Sequence, residues 1–414
     1  MTVTARRAVG VFAAFAFAYF LSALLRAVTA TLAPVFSGEL GLRAGDLGLL
    51  AGAYFFGFAA MQLPLGRALD RHGPRRTLLV LLAVAVLGCA AFALADRLPE
   101  LIAARVLIGA GVGACLMAPL TCYRHLFSPA AQLRANSWML MTGSLGMLAS
   151  TLPVQWLLPT LGWRGLFWGV AMLLALAMAG VIWLVPADPV PVRPPHTAAA
   201  GAPDARAGSY RAIVGHPLFA RMAPLAFFLY GGLIAVQSLW AGPWLTRVAG
   251  WSAGQAAQGL FLINLSMLVT FALWGVVLPR LARRGIGALP LMTWGLPVAL
   301  ALLFVNVALG EGAGAVQWAL WCVACTFTSV SQPAVGAAFP AHLAGRALSA
   351  FNLVIFAGVF CVQWGIGLLI DALRAGGLAD ADAFRAAFAA FGLCCVAAYA
   401  WFVRAGRAGA DNPG

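Results

Sequence analysis

Long apolar runs alternate with short polar stretches along almost the whole chain. A helix of about 20 apolar residues crosses a hydrocarbon core roughly 30 Å thick, and the sequence contains twelve runs of that kind. They cover approximately residues 9–36, 46–66, 76–96, 100–122, 136–159, 164–186, 222–245, 255–279, 287–309, 314–338, 349–371 and 383–403. Lipid offers no partner to backbone N–H and C=O groups, so these runs must form helices. The pattern predicts an all-α membrane protein with twelve transmembrane helices.

The composition and the charge distribution agree with this prediction. Of 414 residues, 63% are hydrophobic and 9% are charged, whereas about 25% are charged in a soluble protein. The net charge of +14 comes from 26 arginines, since the chain has no lysine. Two arginines lie within spans, and six fall in loops on one side: Arg43, Arg97, Arg164, Arg247, Arg374 and Arg385. The other eighteen mark the cytoplasmic side, which predicts an inner-membrane protein with both termini cytoplasmic and no nucleic-acid partner.

A proline-rich segment and an internal repeat divide the chain into two halves. Residues 187–216 contain five of the 23 prolines and read as a cytoplasmic linker. Five residues recur at an offset of 209: Pro34, Gly41, Ala44, Gly45 and Gly66 match Pro243, Gly250, Ala253, Gly254 and Gly275. Repeated six-helix units are common in transporters. We predict two pseudo-symmetric bundles, 1–186 and 217–414, joined by the linker.

Charged and glycine positions after the second span form a recognisable motif. Residues 66–76 read Gly-Arg-Ala-Leu-Asp-Arg-His-Gly-Pro-Arg-Arg. This segment resembles the loop between the second and third helices of major facilitator superfamily transporters, roughly Gly-x-x-x-Asp-Arg-x-Gly-Arg-Arg. In the second half, Pro279 stands where the acid is usual. The resemblance implies a secondary transporter that moves a small-molecule substrate by alternating access, with a conformational switch at Gly66, Asp70, Arg71, Gly73, Arg75, Arg76, Arg105 and Gly109.

Arg105 and Gly109 belong to a second motif, in the fourth span. The segment Arg105-Val106-Leu107-Ile108-Gly109-Ala110-Gly111 resembles the superfamily pattern Arg-x-x-Gln-Gly-x-Gly, with Ile108 replacing the glutamine. Glycines at this spacing allow a neighbouring helix to approach closely. Two roles stay open for Arg105: a structural charge paired near the periplasmic surface, and a gating or coupling residue.

Arg26 is the main candidate for binding substrate. It lies four residues past the midpoint of the first span, roughly 6 Å beyond the bilayer centre at about 1.5 Å per residue. Ser22 and Thr29 share its helix face. A charge at this depth usually faces a cavity or a partner, although Arg26 could instead snorkel or pair with backbone carbonyls. On the functional interpretation it binds the negative charge of the substrate, as a first-helix arginine does in some organic-anion members of the superfamily.

Other polar and aromatic groups at middle depth are further candidates for the cavity lining. With Ser22, Arg26 and Thr29 they form the predicted substrate site, although helix packing accounts for each of them equally well: Tyr54, Gln237, Trp240, Asn264, Gln332, Asn352 and Gln363. Pro243, at the outer end of the seventh span, would loosen the helix there and form a gate.

Acidic residues are absent from the middle of every span. All twelve lie near the predicted surfaces, so a proton relay through buried carboxylates has no evident carrier. Three coupling modes stay open: anion exchange, co-movement of a protonated substrate, and titration of an acid near a helix end such as Asp46 or Asp371.

Four alternatives to anion transport are weighed against it. Export of amphipathic compounds fits the aromatic content, and a non-transporting membrane sensor would have the same helices without flux. A copper importer is a further alternative, because soft sulfur ligands suit copper(I) and the chain has Cys322, Cys325, Met139 and Met141 within apolar spans. An enzyme is disfavoured because no nucleophile stands with an evident acid or base. We expect no metal, no cofactor and a monomer in the lipid bilayer.

The motif at 66–76 generates a testable prediction for Asp70. The resemblance implies that its carboxylate pairs with nearby arginines and with the positive N-terminal end of the eleventh helix, near Arg346–Asn352, in one of two alternating states. Asp70→Asn should therefore slow turnover and leave substrate binding largely intact. Uptake kinetics and equilibrium binding in proteoliposomes measure the two quantities, and unchanged uptake would refute the role.

Overall fold

A computed structural model of the protein describes residues 5–187 and 210–410. These residues form α-helices with short 3₁₀ and π segments, and they contain no strand. In chain order the helices are α1 (Ala5–Glu39), α2 (Ala44–His72), α3 (Pro74–Leu94), α4 (Leu98–Gly111), α5 (Met117–Leu126), α6 (Pro129–Ala149), α7 (Leu152–Leu184), α8 (Tyr210–Val214), α9 (Pro217–Arg247), α10 (Ala253–Arg283), α11 (Ala288–Leu309), α12 (Ala315–Cys325), α13 (Ser331–Ala337), α14 (Ala341–Ala375) and α15 (Asp380–Ala410). The predicted all-α membrane fold is confirmed. Most of the predicted linker, residues 188–209, lies outside the described residues.

Nine helices in the described ranges are long and apolar enough to cross a membrane. The fourth, fifth and tenth predicted spans are not continuous helices. The prediction of one unbroken helix for each apolar run is wrong at those three places. Residues 112–116 form turns between α4 and α5, and α6 ends at Ala149 before α7 begins at Leu152. The long α7 also bends at Gly162, whose φ of 63° favours glycine. That bend separates the predicted fifth and sixth spans.

The tenth span is interrupted by hydroxyl side chains. A 3₁₀ segment, Thr326–Val330, separates α12 from α13. The hydroxyl of Thr326 donates to the carbonyl of Val323, and that of Thr328 donates to the carbonyl of Cys325. Ser331 repeats the pattern toward Thr328. Hydroxyls that bond to the backbone of the preceding turn compete with the regular helix, so an apolar count alone cannot locate this break.

The described residues divide into two compact units, each with its own core. Unit 1 contains those within Met1–Leu32 and Ala53–Ala199, and unit 2 contains those within Ala33–Gly52 and Ala200–Gly414. The end of α1 and the start of α2 therefore cluster with unit 2, although the rest of both helices belongs to unit 1. The predicted bundle limits of 1–186 and 217–414 stay a prediction.

Within unit 1, glycines bring α2 and α4 into backbone contact. A Cβ atom placed on Gly57 would lie 2.1 Å from the carbonyl oxygen of Val106, and one on Gly109 would lie 1.9 Å from that of Tyr54. Both distances are far inside van der Waals contact. The small residues of the second motif thus do what their spacing predicts: they allow close helix approach.

Gly109→Ala tests this contact. The added methyl group must push α4 from α2, and overpacking of this kind costs about 1–3 kcal/mol, so the thermal midpoint in detergent should fall. Gly169→Ala is the matched control, since nothing lies within 4 Å of its added Cβ and alanine is about 1 kcal/mol better than glycine in a helix. Equal midpoints for the two variants would contradict the close packing.

Candidate functional site

Arg26 lies near the middle of α1, on the face that meets α2. Its side chain is half-buried, and its guanidinium carbon lies 5.7 Å from the ring centre of Phe58. The hydroxyl of Tyr54 donates to the carbonyl of Ser22 at 3.2 Å, and Ser22 lies one helical turn before Arg26 in α1. The structure therefore brings three predicted site residues of unit 1 together. A planar guanidinium beside an aromatic face can hold a carboxylate or sulfonate through paired hydrogen bonds.

Arg105, on α4, contacts α1 within one helical turn of Arg26. Its Nη1 donates to the carbonyl of Leu25 at 3.0 Å, and its Nη2 donates to the hydroxyl of Thr29 at 2.6 Å. The side chain is 1% exposed, and its guanidinium carbon lies 5.2 Å from the ring centre of Tyr54. Arg105 is therefore a buried tie between α4 and α1. The hydroxyl of Thr29, which was predicted to bind substrate, accepts a hydrogen bond from Arg105.

The amide and indole candidates of unit 2 form three hydrogen-bonded groups. Gln237 Nε2 donates to Asn264 Oδ1 at 2.9 Å, linking α9 to α10. Gln363 Nε2 donates to the hydroxyl of Ser238 at 2.9 Å, and Trp240 Nε1 donates to the carbonyl of Gln363 at 3.1 Å, linking α9 to α14. A further pair joins two other candidates across α13 and α14, where Gln332 Nε2 donates to Asn352 Oδ1.

Two of these groups include residues from an irregular part of α9. The helix contains two π segments, Ala226–Tyr230 and Val236–Trp240, and the second carries Gln237 and Trp240. Pro243 follows it and lacks the N–H that the preceding turn would bond. Single π turns inside α-helices often mark functional sites. Gln363 is fully buried, and its Oε1 has no hydrogen-bond partner among the described residues.

The predicted switch segment is helical rather than a loop. The helix α2 continues through Gly66, Asp70 and Arg71 to His72, and α3 begins at Pro74. Gly73 alone breaks the helix, with a φ of 79° that favours glycine, and a proline in the first turn suits the next helix start. The helix of the eleventh span, α14, begins at Ala341. Its N-terminal end therefore lies before Arg346–Asn352, where the prediction placed it.

Among the cations of this segment, Arg75 has a defined contact. Its Nη2 donates to the carbonyl of Ile182 at 2.6 Å, tying the start of α3 to the end of α7 within unit 1. Arg71 and Arg76 are exposed. The side chain of Asp70 lies outside the described residues. The switch role of this segment stays a prediction.

The metal candidates do not form a described site. Cys322 and Cys325 are buried in α12, whereas Met139 is buried and Met141 is exposed on α6. In the ranges 5–187 and 210–410, no group of three or more His, Cys, Asp or Glu side chains could hold a metal ion.

Two contact residues were not predicted. Phe58 beside Arg26 belongs to an apolar run, where one phenylalanine cannot be told from another by pattern. Ser238 adjoins Gln237, so its place next to the amide candidates could have indicated it.

Sequence comparison identifies the family. The model of the Major Facilitator Superfamily matches residues 15–362. The chain belongs to this superfamily. The resemblance to this superfamily is confirmed, and the chain is a multi-pass member of a superfamily of membrane transporters. Membership also points to a transporter rather than an enzyme.

Two relatives within the superfamily match parts of the chain. A protein of Cupriavidus necator named "Probable sulfoacetate transporter SauU" is 25% identical over 279 residues, which is 64% of this chain and 64% of that protein. A chloramphenicol resistance protein of Streptomyces lividans is 33% identical over 160 residues, 38% of this chain and 40% of that protein. The chain spans less than two thirds of the length of either relative.

Solved superfamily structures share the fold over nearly the full length. A bacterial homologue of the human lysosomal transporter Spinster has a TM-score of 0.77 at 19% identity, covering 98% of both chains. The POT family transporter PepTSo gives 0.76 at 15% identity, with 97% and 98% coverage. The D-xylose–proton symporter gives 0.74 at 16%, with 95% and 96% coverage. At these identities the likeness shows the superfamily fold alone.

Thr29→Val tests the buried tie between α4 and α1. The change keeps the side-chain volume but removes the hydrogen-bond acceptor for Arg105 Nη2. An unsatisfied buried donor costs about 1–3 kcal/mol, so the thermal midpoint in detergent should fall by several degrees. Thr160→Val is the matched control, because its hydroxyl is exposed and donates to the carbonyl of Leu157 in its own helix. No difference between the two variants would mean that the tie contributes nothing.

Proposed function

We propose that the protein is a secondary active transporter of a small organic anion that carries a carboxylate or sulfonate group. Arg26 is the residue that binds this group, and its position halfway along α1 beside Phe58 is the observation on which the proposal rests. Ser22 and Tyr54, which are joined by a hydrogen bond beside Arg26, are further candidate contacts.

The distribution of acids supports an anionic substrate. The sequence has no acidic residue before Glu39, between Asp46 and Asp70, or between Asp70 and Asp96. Glu39 lies thirteen residues from Arg26 in the same helix, about 20 Å along its axis at about 1.5 Å per residue. A carboxylate of these helices is thus not available to neutralise Arg26 at its own depth. A substrate anion would supply the missing charge during transport.

Arg105 gives a useful contrast to Arg26. It is fully buried and bonds to a carbonyl and a hydroxyl of α1, so its donors are engaged by the protein. Arg26 is half-buried, which leaves part of its surface accessible to a ligand. We therefore assign packing to Arg105 and Thr29, and anion binding to Arg26.

One of the two relatives supports the same substrate class. The relative in Cupriavidus necator is named for sulfoacetate, a small molecule with one carboxylate and one sulfonate. The amide groups of Gln237, Asn264, Gln332, Asn352 and Gln363, with the indole of Trp240, are candidate contacts for the uncharged parts of such a molecule. From the arginine asymmetry between the loops we infer an inner-membrane transporter with both termini cytoplasmic. We also propose that it works as a monomer.

Export of amphipathic compounds is the second candidate. It is favoured by the relative named as a chloramphenicol resistance protein, whose 33% identity is the higher of the two although it covers fewer residues. It predicts flux of uncharged aromatic molecules that does not require Arg26.

Counterflow in proteoliposomes tests the proposal and separates the two candidates. Labelled sulfoacetate and simple carboxylates should exchange in the parent protein. Arg26→Ala should lower kcat/KM for the anion about 30-fold or more, because truncating one partner of a desolvated charge pair costs about 2–5 kcal/mol. Arg26→Lys should keep part of the flux, since lysine keeps the charge but loses the paired geometry.

Arg43→Ala is the matched control, because it removes an exposed arginine from the turn before α2. It should leave counterflow unchanged. Repeating the assay with and without a pH gradient distinguishes exchange from co-movement of protons. Full anion flux in Arg26→Ala would contradict the proposal, and chloramphenicol flux without anion flux would favour the exporter.

A further inference from the structure

The outer ends of α1 and α2 are held in unit 2 by a carboxylate of α14. Asp371 accepts two backbone hydrogen bonds from the first residues of α2: Ala44 N donates to Oδ1 at 3.2 Å and Gly45 N donates to Oδ2 at 2.7 Å. The first N–H groups of a helix have no partner within it, and its dipole makes this end positive. Asp371 therefore caps α2 from a different helix, more than 300 residues away in sequence.

The two helices are in backbone contact along the same seam. A Cβ on Gly45 would lie 2.9 Å from Asp371 Oδ2, and one on Gly48 would lie 2.4 Å from the carbonyl oxygen of Gln363. From the other side, a Cβ on Gly367 would lie 2.3 Å from the carbonyl oxygen of Ala44. Glycines at these three places let the carboxylate reach the end of α2. The cap is thus built into the packing and is not an incidental surface contact.

Asp371 has a second partner on its own helix. Arg374 Nη1 lies 3.9 Å from Asp371 Oδ1, and Arg374 also bonds to Asp380 at the start of α15. If α2 moves away, the carboxylate can turn toward Arg374 without being left unpaired. Two alternative sets of partners are what a reversible contact requires.

We propose that Asp371 is the residue that fastens the α1–α2 tip, residues 33–52, to unit 2 in one transport state and releases it in the other. The tip clusters with unit 2 although α1 before Ala33 and α2 after Gly52 belong to unit 1. Alternating access moves one bundle against the other. The tip must therefore change partners in each cycle, and the cap at Ala44 and Gly45 is its charged contact with α14.

The cavity beside the cap provides a way to measure its opening. A small cavity of about 40 Å³ is lined by Ser37 and Ala44 of the tip, by Thr246 and Arg247 of α9 and by Arg374 of α14. Release of the tip should widen this cavity. A cysteine at position 37 would then react faster with a membrane-impermeant maleimide.

The test uses Ser37→Cys in the full chain, with the exposed cysteines Cys361 and Cys394 replaced by serine. Adding Asp371→Asn keeps the side-chain shape but removes the charge, and it should raise the alkylation rate about tenfold. Asp382→Asn is the matched control: it removes a carboxylate in the first turn of α15, where Asp382 pairs with Arg385. It should leave the rate unchanged.

A second variant guards against misfolding of Asp371→Asn. Ala44→Pro removes one donor of the cap at the first helical position, where proline is favoured. It should raise the rate by a smaller factor. Equal rates in the parent, Asp371→Asn and Ala44→Pro would overturn the proposal. No substrate is needed, so this result is independent of the anion specificity proposed above.

Discussion

A guanidinium inside a lipid-solvated helix bundle must find hydrogen-bond acceptors or remain near a watery cavity, and this requirement shapes unit 1. Its helices carry two such groups and no carboxylate at the same depth. Arg105 satisfies the requirement with the carbonyl of Leu25 and the hydroxyl of Thr29. These acceptors belong to α1, so the demand of one charge fixes the distance and rotation of α4 against α1. Arg26, on the same helix, is only half-buried, and this lower burial is one physical basis for the proposed anion site.

The fold could be predicted from the sequence wherever apolar length decides the structure. The helices α1, α3 and α10 are near-continuous apolar runs, and their existence follows from the lack of backbone partners in lipid. The breaks follow from local chemistry that a hydropathy count does not contain: the hydroxyls of Thr326 and Thr328 draw the backbone into a 3₁₀ segment. The charges at 66–76 indicated a loop. In the structure a single residue with positive φ, Gly73, separates α2 from α3.

The candidate site could be predicted as far as helix periodicity reaches. Ser22, Arg26 and Thr29 recur at helical spacing, and α1 does turn them toward one side. Which group of another helix meets them depends on tertiary packing. Nothing in the sequence connects Arg105 with Thr29, 76 residues away, or Gln237 with Asn264, 27 residues away. Such pairs can be identified only when it is known which helices pack together. The glycines at 57 and 109 indicate that two helices approach closely. They do not indicate which polar groups this approach brings together.

The same helix carries the proposed anion site and part of the proposed outer contact. Arg26 lies seven residues before Ala33, where α1 passes from unit 1 to unit 2, about 10 Å along the axis at about 1.5 Å per residue. The helix α1 is continuous over that distance. An anion that neutralises Arg26 lowers the cost of removing its charge from water and so allows the surrounding helices to close on it. The strain of that closure would reach the α1–α2 tip through α1 itself, so the cap at Asp371 need not contact the substrate to respond to it.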